Sequence, residues 1–87
     1  MPSFLIISPH TAEDCMRVVR DTLAMGYLTH FDWGCKDNDH TGWATIEAEN
    51  KAEALMVVPP LVRHEARAVQ LTKFSADEVN GWHHGKK

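Results

Sequence analysis

Thirteen consecutive residues, Phe31 to Trp43 (FDWGCKDNDHTGW), bring together a thiol, an imidazole, three carboxylates and two indoles. Imidazole, thiolate and carboxylate together suit nickel, zinc, copper or cobalt, whose preferred ligands are nitrogen and sulfur with oxygen as a supplement. His10 and His64 lie far away in sequence but belong to loops expected at the same end of the molecule, so a metal set of His10, Cys35, Asp39 and His40, with His64 nearby, is the sharpest chemical expectation. The plain alternative is that these are side chains of surface loops, because no short ligand spacing such as HxH or HExxH is present. Asp37-Asn38-Asp39 opens like a calcium loop, yet the glycine and the distal glutamate that such a loop needs are missing, so calcium is set aside.

The two cysteines, Cys15 and Cys35, are too few for a disulfide framework, and there is no CxxC. Cys15 falls near the start of an expected helix, where the helix dipole lowers a thiol pKa, and a Cys15–Cys35 thiol pair would bind metal or be oxidised. Two small buried hydrophobes are the bland reading of the same residues. Nucleophilic catalysis would require a base beside the thiol, for which only His10 or His40 is placed. A further group, His30, Asp32, Trp43 and Glu47, reads either as a pocket holding an acid/base or as an interface with an aromatic anchor and a charged rim. His83-His84 beside Trp82 would at most bind metal adventitiously, and the Ser8–Thr11 loop lacks the glycines of a phosphate loop.

The elements that must position these residues follow from periodicity and caps. Phe4-Leu5-Ile6-Ile7 is apolar without alternation, as in a strand buried on both faces. Thr11 and Asp14 form a capping pattern, and Cys15, Val18, Val19, Thr22 and Leu23 recur at helical spacing until Gly26 stops them. Strands are expected from Leu28 to Cys35 and from Thr41 to Ala48, with Asn38-Asp39 as a two-residue turn. That turn pairs Phe31 with Ile46, Trp33 with Ala44 and Cys35 with Gly42 on one face, and Asp32 with Thr45 and Gly34 with Trp43 on the other. Asn50 with Glu53 caps a short helix that Pro59-Pro60 ends; a connector at 61–65 leads to a strand from Ala66 to Lys73. Ser75 with Glu78 caps a terminal helical turn over 76–82, expected to pack Val79 and Trp82 on the body, before a frayed Gly85-Lys86-Lys87 tail.

The order β-α-β-β-α-β predicts an α+β, ferredoxin-like fold: a four-stranded antiparallel sheet with two helices on one face, plus a short C-terminal helical turn, in a single domain spanning 1–87. The open face of such a sheet calls for a cover, most simply a second copy, so a homodimer is expected. At 87 residues and a formal charge of −3 there is no electrostatic footprint for nucleic acid or anionic membrane. No apolar run approaches bilayer length, and Met1-Pro2-Ser3 leads into a strand without a basic leader, which places the protein in the cytoplasm.

The opening MPSFLIISPH, the capped helix, the DxxHTGWATIEAE strand and the PP-containing connector together resemble small bacterial ferredoxin-like domains of unknown function. These are similar to the dimeric α+β barrel superfamily, whose members include small monooxygenases, isomerases and metal-binding proteins, among them a nickel-binding group. The resemblance implies the fold and the dimer. It leaves two functional expectations: a non-enzymatic homodimer that binds a transition metal (nickel or zinc) or a small ligand, and a cofactor-free enzyme, monooxygenase- or isomerase-like, with His30 or His40 as base.

Overall fold

A computed structural model describes residues 1–85, and the side chains of residues 1–82. Of the expected Gly85-Lys86-Lys87 tail, Gly85 belongs to the last helix and Lys86-Lys87 lie outside the described residues, as do the side chains of His83-His84. Four antiparallel strands form one open sheet in the order β2-β3-β1-β4, with β1 at Ser3–Pro9, β2 at Phe31–Trp33, β3 at Thr41–Glu47 and β4 at Arg67–Leu71. Helices complete an α+β protein: α1 at Cys15–Ala24, α2 at Lys51–Ala54, α3 at Pro60–Arg63 and α4 at Ala76–Gly85. Among the described residues, no helix is long and apolar enough to cross a membrane.

The central strand β1 alternates. Phe4, Ile6 and Ser8 are buried, whereas Leu5 and Ile7 are only half-buried, so the strand is covered on one face and not on both as its unbroken apolar run suggested. The covered face joins Phe4 and Ile6 to Phe31, Ala44 and Ala68 from the sheet, and to Val18, Ala54, Val57 and Val62 from the helical segments, in one apolar cluster. On the uncovered face Leu5, Ile7, Trp43 and Val69 share an orientation, since strand side chains alternate.

The caps explain the helix boundaries. Thr11 Oγ1 accepts the Asp14 amide at 3.2 Å, but this closes only a turn, and α1 begins four residues later at Cys15. Its buried Thr22 hydroxyl donates to the Val18 carbonyl at 2.8 Å, which removes the cost of an unpaired polar group. At its far end Gly26 sits at φ +88°, and the Tyr27 amide reaches the Thr22 carbonyl at 3.1 Å, a left-handed stop that glycine adopts without strain. Asn50 caps α2 by accepting the Glu53 amide at 2.8 Å, and Ser75 and Glu78 bond each other's backbone amides at 3.1 Å.

Two expected segments differ. The connector at 61–65 carries α3, because Pro60 at a first helical position is already set at the helical φ, and Arg63 Nε donates to the Val58 carbonyl at 2.9 Å. The terminal helix does not pack Val79 and Trp82 on the body. Both are 47% exposed, and Trp82 instead meets Phe74 edge-on at 4.8 Å. The molecule is accordingly long, 51 × 28 × 21 Å.

The hairpin departs most from expectation, and it matters most for the site. Phe31 pairs with Ala44, Asp32 with Trp43 and Trp33 with Gly42, a displacement of two residues from the register that an Asn38-Asp39 turn would impose. The cause is a longer loop. Gly34 and Thr41 close it, with the Gly34 amide on the Thr41 carbonyl at 3.0 Å; Cys35–Asp37 form a single 3-10 turn; and Asn38 takes the left-handed conformation at φ 63°. Asparagine tolerates that region better than most residues, so one αL position reverses the chain where a two-residue turn would need two. Because the displacement is even, each side chain stays on its expected face: Phe31 and Trp33 on the covered face, Asp32 and Trp43 on the open one. Gly42 accepts the Trp33 ring, whose nearest atom would lie 2.8 Å from a Cβ there.

Candidate metal centre

The end of β1, the start of α1 and both ends of the β2–β3 loop meet at one edge of the covered face. β1 runs out at Pro9 and delivers His10, which is buried; its amide donates to the His40 carbonyl at 2.9 Å. Cys15 is the first residue of α1, Cys35 opens the 3-10 turn after Gly34, and His40 immediately precedes β3. One ligand atom from each of His10, Cys15, Cys35 and His40 lies within 4.8 Å of every other. Cys35 Sγ and His10 Nε2 are 3.3 Å apart, and the two imidazoles meet edge to face at 5.9 Å between centroids.

Metal–sulfur bonds of about 2.3 Å and metal–nitrogen bonds of about 2.0–2.1 Å put the donor atoms of a tetrahedral site roughly 3.3–3.8 Å apart. The Cys35–His10 separation already has that value, and every other separation is within 4.8 Å. The group is therefore one that could hold a metal ion. Polar atoms without partners surround it: Nδ1 of both His10 and His40 is buried with no hydrogen bond, as are Ser8 Oγ and Trp33 Nε1. Buried polar atoms in folded proteins are paired as a rule, so unpaired nitrogens beside two thiols are compatible with a ligand at this place.

In the metal-free protein the electrostatics leave Cys35 without the activation a nucleophilic thiol needs. Burial pushes the Cys35 thiol up from 9.0 to about 11, and the neighbouring Cys15 adds to the rise. Burial also lowers the His10 pKa, assisted by His40; the Ser8 backbone, too loosely placed to count as a hydrogen bond, and Asp14 oppose this to a lesser extent. An activated cysteine needs the reverse, a depressed thiol beside a raised imidazole. Here burial favours the neutral form of both partners, the imidazole with a free lone pair and the thiol with its proton.

The sequence-derived residues divide accordingly. His10, Cys35 and His40 come together. Asp39 does not join them: it is exposed, and its Oδ1 accepts the Thr41 hydroxyl at 2.8 Å. Cys15, expected only as a partner of Cys35, supplies the fourth donor. His64 is not part of the group; it is exposed, with Nε2 3.7 Å from Glu65. Of the second set, His30 and Glu47 line a cavity of about 400 Å³ with Tyr27 and Glu53, and His30 meets Tyr27 edge-on at 5.5 Å. Asp32 and Trp43 are absent from that cavity; Trp43 lies over Gly34 on the open sheet face, and Asp32 is exposed.

No protein-family model, curated protein or solved structure matches the chain. The geometry of the site therefore carries the functional argument alone.

Proposed function

We propose that this protein binds a transition-metal ion through His10, Cys15, Cys35 and His40. The observation that carries the reading is the convergence of four soft or borderline donors, with no carboxylate among them, from three separate chain segments. Two thiolates cancel the charge of a divalent cation, so the filled centre is neutral and suits a largely buried position. Two sulfurs and two nitrogens in a tetrahedral arrangement favour zinc, and flattening toward a square plane would favour nickel. Free thiols are required, which fits a reducing compartment such as the cytoplasm.

The frame is ferredoxin-like in this reading. Its support is the strand order β2-β3-β1-β4 with every neighbour antiparallel, and a core cluster that draws on α1 and α2 together. The homodimer belongs to the same proposal, supported by the half-buried Leu5, Ile7, Trp43 and Val69 on a sheet face whose side chains, among the described residues, stay out of the buried core. An enzymatic reading keeps one observation, the cavity at Tyr27, His30, Glu47 and Glu53. Its histidine is exposed, and Glu53 is already engaged by the Glu49 amide at 2.8 Å.

Metal analysis of untagged protein tests the proposal. One equivalent of zinc or nickel per chain is expected, with a tetrahedral cobalt spectrum showing sulfur-to-metal charge transfer after exchange. Protein that takes up no stoichiometric metal, or keeps it in both Cys15→Ser and His40→Ala variants, would refute the centre.

A further inference from the structure

A second cavity, of about 480 Å³, lies against the sulfur side of the centre. Cys15 and Cys35 form part of its wall, and Met16, Val19, Phe31 and Trp33 supply apolar surface around them. Its charged members, Asp32 and Lys36, are of opposite sign, so the cavity carries no net charge. A volume of this size holds a small organic molecule, and its lining selects an uncharged, largely apolar one. What such a molecule meets there is unusual: two sulfur atoms within 4.8 Å of each other, both thiolates once a metal is bound, since a coordinating thiol is deprotonated outright. A neighbouring pair of thiolates is a two-electron reductant, because the product of its oxidation is a disulfide.

We propose that this cavity is a substrate site for organic hydroperoxides, which the paired thiolates of the metal-loaded protein reduce. The inference rests on the metal reading above. One thiolate sulfur attacks the outer oxygen of ROOH, the O–O bond breaks, and the alkoxide leaves as the alcohol ROH after taking a proton from water. The sulfenic acid so formed is attacked by the second thiolate; the S–S bond forms, hydroxide departs and is protonated to water. Two electrons pass from the two sulfurs to the peroxide. With both sulfurs in the disulfide, only His10 and His40 would remain to hold a metal ion, and two imidazoles would not retain it.

Zinc-loaded protein treated with cumene hydroperoxide or with hydrogen peroxide tests this, with released zinc read by a chelating indicator and the Cys15–Cys35 disulfide read by mass spectrometry. The preference for cumene hydroperoxide, relative to the same ratio measured with free glutathione, is expected to be about tenfold, since only the organic peroxide buries apolar surface in the cavity. Val19→Phe and Met16→Phe, which fill the cavity from a half-buried and an exposed position, are expected to abolish the preference while leaving zinc stoichiometry at one. Zinc bound and released with no preference, a preference that survives both fillings, or oxidation without the disulfide would each overturn the substrate site and leave the metal centre standing. Protein that binds no zinc would overturn both.

Discussion

Replacing Cys35 with serine separates a ligand from a bystander in two independent measurements. Structural zinc sites with four protein ligands contribute roughly 10–16 kcal/mol at neutral pH, so one ligand accounts for about a quarter, some 2.5–4 kcal/mol. A Cys35→Ser chain should therefore bind zinc roughly 10²–10³-fold more weakly. The second measurement uses the proton. With its thiol pushed up to about 11, Cys35 is protonated throughout pH 7–9 in the metal-free protein, and zinc must displace that proton. Each unit of rising pH then tightens binding about tenfold through this residue alone, a contribution that serine, which keeps its proton, removes. Competition titrations against a chelating indicator from pH 7 to 9 give both quantities. An unchanged dissociation constant, or a weakened one whose pH slope equals that of the parent, would show that Cys35 is not a thiolate ligand.

Other expectations follow from the same geometry. Asp39→Asn should leave zinc affinity within about threefold, because the carboxylate serves Thr41 and not the centre; a loss as large as that of Cys35→Ser would restore Asp39 to the ligand set. Metal-free protein should be most stable between the ordinary pKa values of His10 and Cys35. The lowered His10 pKa means stability present above 6.5 is lost as pH falls, and the raised Cys35 pKa means stability present below 9.0 is lost as pH rises toward about 11, a profile that urea denaturation across pH would show. Gly42→Ala should cost about 1–3 kcal/mol in denaturant unfolding, since its Cβ would stand 2.8 Å from the Trp33 ring in a packed layer. Asn50→Ala should cost about 1 kcal/mol, the usual loss for an N-cap that holds a backbone amide.

What could be read from the sequence was what local chemistry controls. Asn50 and Ser75 act as the caps their spacing indicates, Gly26 is the stop it looked like, and three strands appear close to their expected places; the second, expected from Leu28 to Cys35, is only Phe31–Trp33, with 3-10 turns at Leu28–His30 and Cys35–Asp37 on either side. The β2–β3 loop resisted because its shape rests on a single left-handed asparagine and a 3-10 turn, neither of which has a dipeptide signature comparable to Asn-Gly. That loop decided the site. A two-residue turn would have carried Cys35 into the sheet opposite Gly42, whereas the observed loop frees it to meet His10. Asp39 was misread because short polar side chains in turns bond their near neighbours first, as its bond to Thr41 shows. Cys15 was expected on the first turn of its helix as a partner of Cys35, and it is there; what its spacing did not show is that the two thiols share one group with His10 and His40.

The bond from the His10 amide to the His40 carbonyl is the one main-chain hydrogen bond directly joining two of the four donor residues. A single such contact, worth about 1 kcal/mol net, is a weak fastening for two long excursions of the chain. A bound ion would tie the same segments at four points and draw closed the loops between residues 10 and 15, 15 and 35, and 35 and 40. Occupancy would then be felt as stiffness: amides around His10 and His40 would exchange with solvent slowly in the loaded protein and quickly in the empty one, while those of β1 and β3 kept a single rate. The edge of the sheet that carries the chemistry is, in that sense, a buckle whose pin is supplied from solution.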